Sequence, residues 1–178
     1  MKTISTTPNK TNEVLNPKIQ TTITGLFERP KDPPNSTIQT NISPKHTNTL
    51  RIISNNINTL GTNEVIRMQA MFHALRQHES DISLLTETKT NSRNSNTWQT
   101  IQENTNCMWS KTRLQLSSVP DRNMKEKYQP GGTMTITQGP SLGRVIHNHT
   151  DKHGRWTSIT FKGKENTKIM VINAYMVC

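Results

Sequence analysis

Residues 50–60 have the sequence LRIISNNINTL and residues 81–89 have the sequence DISLLTETK, and these two stretches decide the fold. Each begins with an apolar, β-prone run and ends in polar side chains. Between them, apolar residues recur at spacings of three and four from Asn63, a possible helix cap, to about His78. A strand, a crossover helix and a second strand predict parallel neighbours in one sheet of an α/β fold.

The rest of the chain predicts further short elements. We expect a short helix capped by Ser95 or Asn96, a weak strand over residues 107–113 and a loop over residues 115–131. Four successive strands follow, separated by turns that contain glycine, at residues 133–137, 144–147, 155–161 and 168–172. We interpret them as a meander that either continues the first sheet or faces it.

Composition divides the 178-residue chain into two parts. Residues 1–48 are dominated by Thr, Asn, Pro, Ser and Lys, with Phe27 as their single aromatic residue. Such a segment buries too little apolar surface to offset the entropy of ordering, so we predict a disordered leader. Residues 49–178 carry the recognisable elements and form the predicted domain.

Charge and cysteine content indicate which class of partner and which cellular compartment to expect. The formal net charge of +10 favours a polyanionic partner such as nucleic acid, although basic residues also serve only to keep a surface soluble. The two cysteines, Cys107 and Cys178, lie too far apart to indicate a disulfide framework or a zinc site. Without a membrane-spanning run or signal-like segment, we expect no membrane partner and an intracellular location, with the nucleus as one option.

Four polar residues at predicted strand ends are candidates for chemistry on phosphate. Glu87 follows an apolar strand and would offer a hard oxygen ligand to Mg²⁺. Asn56 and Asn58 alternate by two, so on a strand both amides would project to the same side. Tyr175 follows another strand and supplies a phenol that could donate to phosphate. Taken singly, each is more often a solvated or packing residue, and only their joint placement indicates a site.

Several of these stretches resemble the endonuclease/exonuclease/phosphatase superfamily, which includes apurinic endonucleases and retroelement endonucleases. Residues 54–60 resemble the family pattern Ser-Trp-Asn-Val-Asn-Gly-Leu, with Asn and Thr in place of Trp and Gly. Residues 85–89 resemble Leu-Gln-Glu-Thr-Lys, with Thr in place of Gln. Residues 131–136 look like the family's Gly-Gly-hydrophobic strand, and residues 173–175 match its Asn-Ala-Tyr strand end. Residues 129–132 and 154–156 look most like endonuclease domains attached to retroelement reverse transcriptases.

The resemblance implies the N-terminal portion of a four-layer α/β sandwich with Mg²⁺-dependent phosphodiesterase activity on nucleic acid, DNA more than RNA, and Mn²⁺ as a substitute metal. The family's later Asp-x-Asn strand end and C-terminal Asp-His do not occur here, so we expect an incomplete, truncated domain. Two alternatives stay open: an inactive basic fragment that binds nucleic acid, and a lipid or inositol phosphatase. The implied site residues are Glu87 and Asn58 as metal ligands, Asn56 and Tyr175 as catalytic residues, and Lys89 and Arg155 as substrate-binding residues.

Overall fold

The computed structural model describes residues 43–60, 65–119 and 130–176, together with the backbone of residues 19–23. Its strands are β1 (Ile19–Ile23), β2 (Leu50–Asn56), β3 (Ile82–Thr86), β4 (Thr112–Ser117), β5 (Thr133–Gln138), β6 (Val145–Thr150), β7 (Trp156–Lys162) and β8 (Lys168–Ala174). Its helices are α1 (Val65–Gln77) and α2 (Ser95–Met108), and a 3₁₀ segment spans Gly139–Arg144. None of the described helices is long and apolar enough to cross a membrane.

The first sheet has the strand order β1-β2-β3-β5-β4. Strands β2 and β3 are parallel, with Ile52 opposite Ile82, and α1 connects them, which confirms the predicted strand-helix-strand unit. The predicted cap of this helix, Asn63, lies outside the described residues. Strand β5 inserts antiparallel between β3 and β4. The carboxyl ends of β2 and β3 therefore lie at the same edge of this sheet as the start of β5 and the end of β4.

The second sheet is the antiparallel meander β6-β7-β8. It faces the first sheet. The four strands predicted after residue 132 are divided between the two sheets: β5 continues the first sheet, and β6, β7 and β8 form the sheet that faces it. The edge that holds the ends of β6 and β8 and the start of β7 is the one on which β2 and β3 end. The Tyr175 hydroxyl, just after β8, donates to Glu87, just after β3, and the Ser117 hydroxyl at the end of β4 donates to the Asp151 carbonyl, just after β6, at 2.7 Å.

Two apolar clusters hold these layers together. Ile53, Phe72 and Leu85 belong to the cluster between the helices and the first sheet. Ile82 and Ile159 belong to the cluster between the two sheets. Alternate residues of β2 and β3 thus face opposite sides, as the pleat of a strand requires. The described residues form three layers, helices on sheet on sheet, and the fourth layer of the expected sandwich is not among them.

Buried polar side chains fix the two sheets in register. The Asn173 amide of β8 donates to the carbonyl oxygens of Leu85 and Met134, each at 3.0 Å. The hydroxyls of Thr135 and Thr157 lie 2.7 Å apart across the interface. Because buried donors are costly to leave unpaired, these bonds favour one relative position of the sheets. They place the end of β8 beside the end of β3.

Helix α2 differs from the expected short helix and weak strand. It runs for 14 residues to Met108, so the first part of the expected strand, residues 107–111, is not a strand; β4 begins only at Thr112 and includes the first residues of the expected loop. The cap is Asn94 and not Ser95 or Asn96: the Asn94 side chain accepts from the Thr97 amide at 3.0 Å, and the helix begins at Ser95. Polar contacts inside the helix continue it, including a 2.8 Å bond from Gln99 to Glu103.

Part of the expected leader lies among the described residues. Residues Ile19–Ile23 form β1, which pairs in parallel with β2, because their β-branched composition suits a strand and β2 offers a free edge. Residues 43–48 are also described: the Lys45 ammonium lies 2.6 Å from an Asp81 carboxylate oxygen, and the buried Arg51 guanidinium donates to the Ser43 carbonyl at 2.7 Å. For residues 1–18 and 24–42, which lie outside the described residues, disorder stays a prediction.

Candidate functional site

The expected site residues come together around the carboxylate of Glu87. The Tyr175 hydroxyl donates to Glu87 Oε1 at 2.6 Å, and the Asn56 side-chain amide donates to the same oxygen at 3.0 Å. The Lys89 ammonium lies 3.8 Å from the other oxygen, Oε2. Residues from the ends of β2, β3 and β8 therefore converge, since both sheets end at this edge. We call these residues, with Asn58, the Glu87 cluster.

Asn58 reaches the cluster through a turn and not through strand alternation. Strand β2 ends at Asn56, and Asn58 has a φ of 51°. The Asn56 side-chain oxygen accepts from the Asn58 amide at 3.1 Å, which closes an Asx-type turn. The Lys89 ammonium then donates to the Asn58 side-chain oxygen. The expectation that both amides share a strand face is wrong in its geometry, although both side chains do join the cluster.

The backbone around the cluster is strained. Glu87, Lys89 and Asn58 have φ values of 54°, 50° and 51°, and Thr59 has 150°. Each is a residue with a Cβ in the left-handed region, which costs of order 1–3 kcal/mol unless the surroundings enforce it. Such strain concentrates at functional sites, and here it turns the Glu87 and Lys89 side chains toward the same point as the β2 turn.

Two glycines enforce the conformation of the Glu87 loop. The backbone amides of Thr88 and Lys89 donate to the carbonyls of Gly132 and Gly131 at 3.2 and 2.8 Å. Gly132 has a φ of 86°, and a Cβ at this position would lie 2.4 Å from the Thr88 hydroxyl. A side chain is therefore excluded where the two loops meet. The sequence predicted this Gly-Gly pair only as part of the family-like strand at residues 131–136, and predicted no role for it at the site.

Arg155 lies beside the cluster without entering it. Its carbonyl oxygen accepts from the Tyr175 amide at 2.8 Å, and its side chain is exposed. It borders a depression of about 330 Å³ that Gly131, Gly132 and Met176 also line. Arg155 therefore lies at the same edge as Glu87, but it lines a neighbouring depression and is not among the residues that contact the Glu87 carboxylate.

The hydrogen bonds keep Glu87 ionised. The Tyr175 hydroxyl, the Asn56 amide and the nearby Lys89 ammonium lower the pKa of the Glu87 carboxyl below its ordinary value, against partial burial, which raises it. The tyrosine hydrogen bond is the largest of these causes. A carboxylate held in its charged form is suited to bind a cation.

The donors of the cluster fit a hard divalent cation. Glu87 Oε1 accepts two hydrogen bonds, whereas Oε2 faces only the Lys89 ammonium at 3.8 Å, so Oε2 is the oxygen open to a ligand. The Asn58 side-chain oxygen, which accepts from the same Lys89 ammonium, is the amide oxygen that could join it. Mg²⁺ is commonly held by one or two carboxylates, with water and substrate phosphates completing its shell. Among the described residues there is no group of three His, Cys, Asp or Glu side chains arranged to hold a metal, so Glu87 is the cluster's one carboxylate.

Comparison with known proteins identifies the fold. The crystal structure of an AP endonuclease from Leishmania major superposes with a TM-score of 0.50 at 16% sequence identity, covering 71% of this chain and 40% of that chain. The chain has an endonuclease-like fold. At this identity the likeness concerns the fold alone, and the chain spans less than half of the length of that endonuclease. No protein-family model and no curated protein matches the sequence.

Replacement of Tyr175 by phenylalanine tests the electrostatics of the cluster. The variant loses the largest cause of the low pKa at Glu87, so we expect that pKa to rise toward its ordinary value. Because a proton competes with a cation for the ionised carboxylate, the pH at which cation binding is half lost should also move upward. A ¹³C NMR titration of the Glu87 carboxyl carbon measures the first effect. An unchanged Glu87 pKa in Tyr175→Phe would contradict the assigned hydrogen bond.

Proposed function

We propose that this chain binds nucleic acid at the Glu87 cluster together with Mg²⁺, and supplies the metal-binding and phosphate-binding side of an endonuclease-type phosphodiesterase site. The observation that carries the proposal is the convergence of Tyr175, Asn56 and Lys89 on one carboxylate from three separate chain segments. A solvated surface glutamate has no need of such partners. The endonuclease-like fold supports the same reading.

Each member of the cluster has a distinct part in the proposal. Glu87 and Asn58 hold the cation, which when bound would neutralise charge on a phosphate and polarise its oxygens. Tyr175 and Asn56 orient the Glu87 carboxylate by donating to one of its oxygens. Lys89, whose ammonium lies between Glu87 and Asn58, is placed to donate to a phosphate oxygen once a cation takes its place beside the carboxylate.

The net charge of +10 favours nucleic acid over a small phosphate ester as the ligand. Basic side chains that contact a phosphate backbone displace the cations condensed on the nucleic acid. The release of these counterions gives an affinity that depends little on base sequence. Lys89 and Arg155 both lie at the edge that carries Glu87. We propose DNA as the preferred polymer, with RNA as the comparison in the test.

A second candidate function is nucleic-acid binding without hydrolysis. The observation that favours it is that, in the described part of the chain, Glu87 is the one carboxylate of the cluster and no histidine hydrogen-bonds to it. Proton transfer by a positioned acid or base contributes typically 10²- to 10⁴-fold to such reactions. The chain alone should therefore hydrolyse DNA slowly, even if it binds DNA and Mg²⁺.

One set of assays tests both candidates. Fluorescence polarisation with a labelled DNA duplex should show affinity that falls with salt, with a slope of log affinity against log salt of about −3 for three or four phosphate contacts. Binding should be tighter in Mg²⁺ than in EDTA. Absence of binding at low salt would refute the proposal, and weaker binding to DNA than to RNA would correct the preferred polymer. Plasmid nicking that requires both Mg²⁺ and Glu87 would favour the enzyme over the binding-only candidate.

A further inference from the structure

A second depression lies at the same edge of the sandwich as the Glu87 cluster, at the ends of β4 and β6. It has a volume of about 540 Å³. We call it the Lys152 groove. Its lining includes Ser92, Arg93, Ser118, Asp151, Lys152 and His153. Sequence reasoning assigned no role to any of these residues, because they come from three separate loops and no spacing connects them.

The Lys152 groove is continuous with the depression beside Glu87. His153 lines both of them, and Arg155 lies two residues further along the same turn. Thr86 at the end of β3 pairs with Thr133, and Thr133 pairs with Ser117 at the end of β4. Two strand spacings of about 4.8 Å therefore put the groove roughly 10 Å from the Glu87 loop along the sheet edge.

The chemistry of the groove suits a phosphate. Arg93, Lys152 and His153 all have exposed side chains. The Ser92 and Ser118 hydroxyls lie 2.5 Å apart at its wall; one donates to the other, and the remaining hydroxyl adds a donor. These groups can contact phosphate oxygens but carry no pattern for reading bases.

The single carboxylate of the lining, Asp151, is already engaged in its own turn. One of its oxygens accepts from the Arg155 backbone amide at 3.1 Å. Burial raises the pKa of Asp151, but the backbone amides of Arg155, His153 and Lys152 and the charge of His153 together hold it below its ordinary value. The carboxylate therefore stabilises the turn that presents Lys152, and the groove keeps a net positive character.

We propose that the Lys152 groove binds a backbone phosphate of the same nucleic acid whose scissile region lies at Glu87. Along the axis of a duplex that lies on this edge, roughly 10 Å spans about three base-pair steps of 3.4 Å. This inference rests on the proposed function, since it extends the path of the polymer from the cluster. The groove sets the position of the polymer and adds affinity that does not depend on sequence.

The test compares two single-charge variants that differ only in position. Lys152→Gln removes a charge from the groove, and Lys168→Gln removes one from the opposite edge, where β8 begins and the side chain is also exposed. One lost phosphate contact should weaken binding of a labelled DNA duplex by about tenfold at 50 mM salt and about threefold at 200 mM, and reduce the salt slope by about 0.9. Lys168→Gln should change affinity less than twofold. Unaltered thermal melting of both variants shows that folding is intact.

The possible outcomes distinguish a failure of the groove inference from a failure of the proposed function. If wild-type protein binds DNA with the expected salt slope but Lys152→Gln behaves like Lys168→Gln, the groove inference is overturned and the proposed function stands. If wild-type protein does not bind DNA at low salt, both fail. Addition of inorganic phosphate at constant ionic strength provides a further arm. Displacement of DNA from wild type but not from Lys152→Gln would show that the free ion and the backbone phosphate share the groove, whereas phosphate binding at Lys152 that leaves DNA affinity unchanged would overturn the polymer assignment.

Discussion

Replacement of Glu87 by glutamine is expected to lower the affinity of the chain for Mg²⁺ by about 100-fold. Loss of a residue that merely orients a metal ligand typically costs 10- to 100-fold in metal affinity, so loss of the ligand itself should reach at least the upper end of that range. Glutamine keeps the size of the side chain and its hydrogen-bonding capacity but removes the charge that a hard cation requires. The effect should therefore be electrostatic and not structural.

Mn²⁺ offers a direct readout of this loss, because its unpaired electrons broaden the NMR signals of nearby nuclei. In wild type, the signals of Asn56, Asn58 and Lys89 should broaden at Mn²⁺ concentrations that leave distant residues unaffected. In Glu87→Gln the same broadening should need about 100-fold more metal, and Mg²⁺ should compete with Mn²⁺ only in wild type. This readout does not depend on hydrolysis, so it applies whether or not the chain is an active enzyme.

Glu79 provides a matched control for this substitution. It is an exposed glutamate with a φ of 50°, close to the 54° of Glu87, so the two residues share side chain and backbone conformation. It lies after α1, at the opposite edge of the sheet, and no tyrosine in the described ranges donates to it. Glu79→Gln should leave metal affinity within twofold of wild type. Equal losses in the two variants would show that the cation binds through general surface charge, and the Glu87 site would be wrong.

The sequence was sufficient to predict the strands that build the site. The apolar runs before Asn56 and Glu87 are β-rich, and the helical period between them requires a crossover, so the two carboxyl ends had to meet at one edge. The approach of Tyr175 was predicted only through the resemblance, since its strand belongs to the second sheet. That approach depends on the buried bonds from Asn173 to Leu85 and Met134, which no pattern in the sequence specifies.

The full length of α2 and the Lys152 groove could not be predicted, because their sequence signals are weak or non-local. Helix α2 buries Thr97, Asn104 and Thr105 together with Ile101, so its inner face is largely polar and shows no apolar stripe. Asn104 is tolerated inside because it accepts from Gln69 of α1 at 2.7 Å and donates to the Thr100 carbonyl at 2.8 Å. The Lys152 groove has no local signal, because its members are separated in sequence and meet only after both sheets have formed.

Substitution of Gly154 by alanine should be among the most destabilising single changes in the described part of the chain. Gly154 has a φ of 74° in the turn before β7, and a Cβ there would lie 2.9 Å from both Ser118 C and Val119 N. These are backbone atoms, which cannot rotate away as the end of a flexible side chain can. The left-handed conformation costs alanine about 1–2 kcal/mol, and the displaced backbone adds about 1–3 kcal/mol of overpacking.

Gly139 separates these two causes. It also has a positive φ, 65°, but a Cβ there would meet nothing within 4 Å. Gly139→Ala should therefore lose only the conformational part, about 1–2 kcal/mol, and Gly154→Ala should unfold at clearly lower denaturant with an unchanged m-value. Because Gly154 holds the turn of Lys152 and Arg155 against the loop after β4, its variant should also bind DNA more weakly than Gly139→Ala does. Equal unfolding free energies for the two variants would mean that the turn before β7 and the loop after β4 are not in contact. The two depressions would then not be continuous.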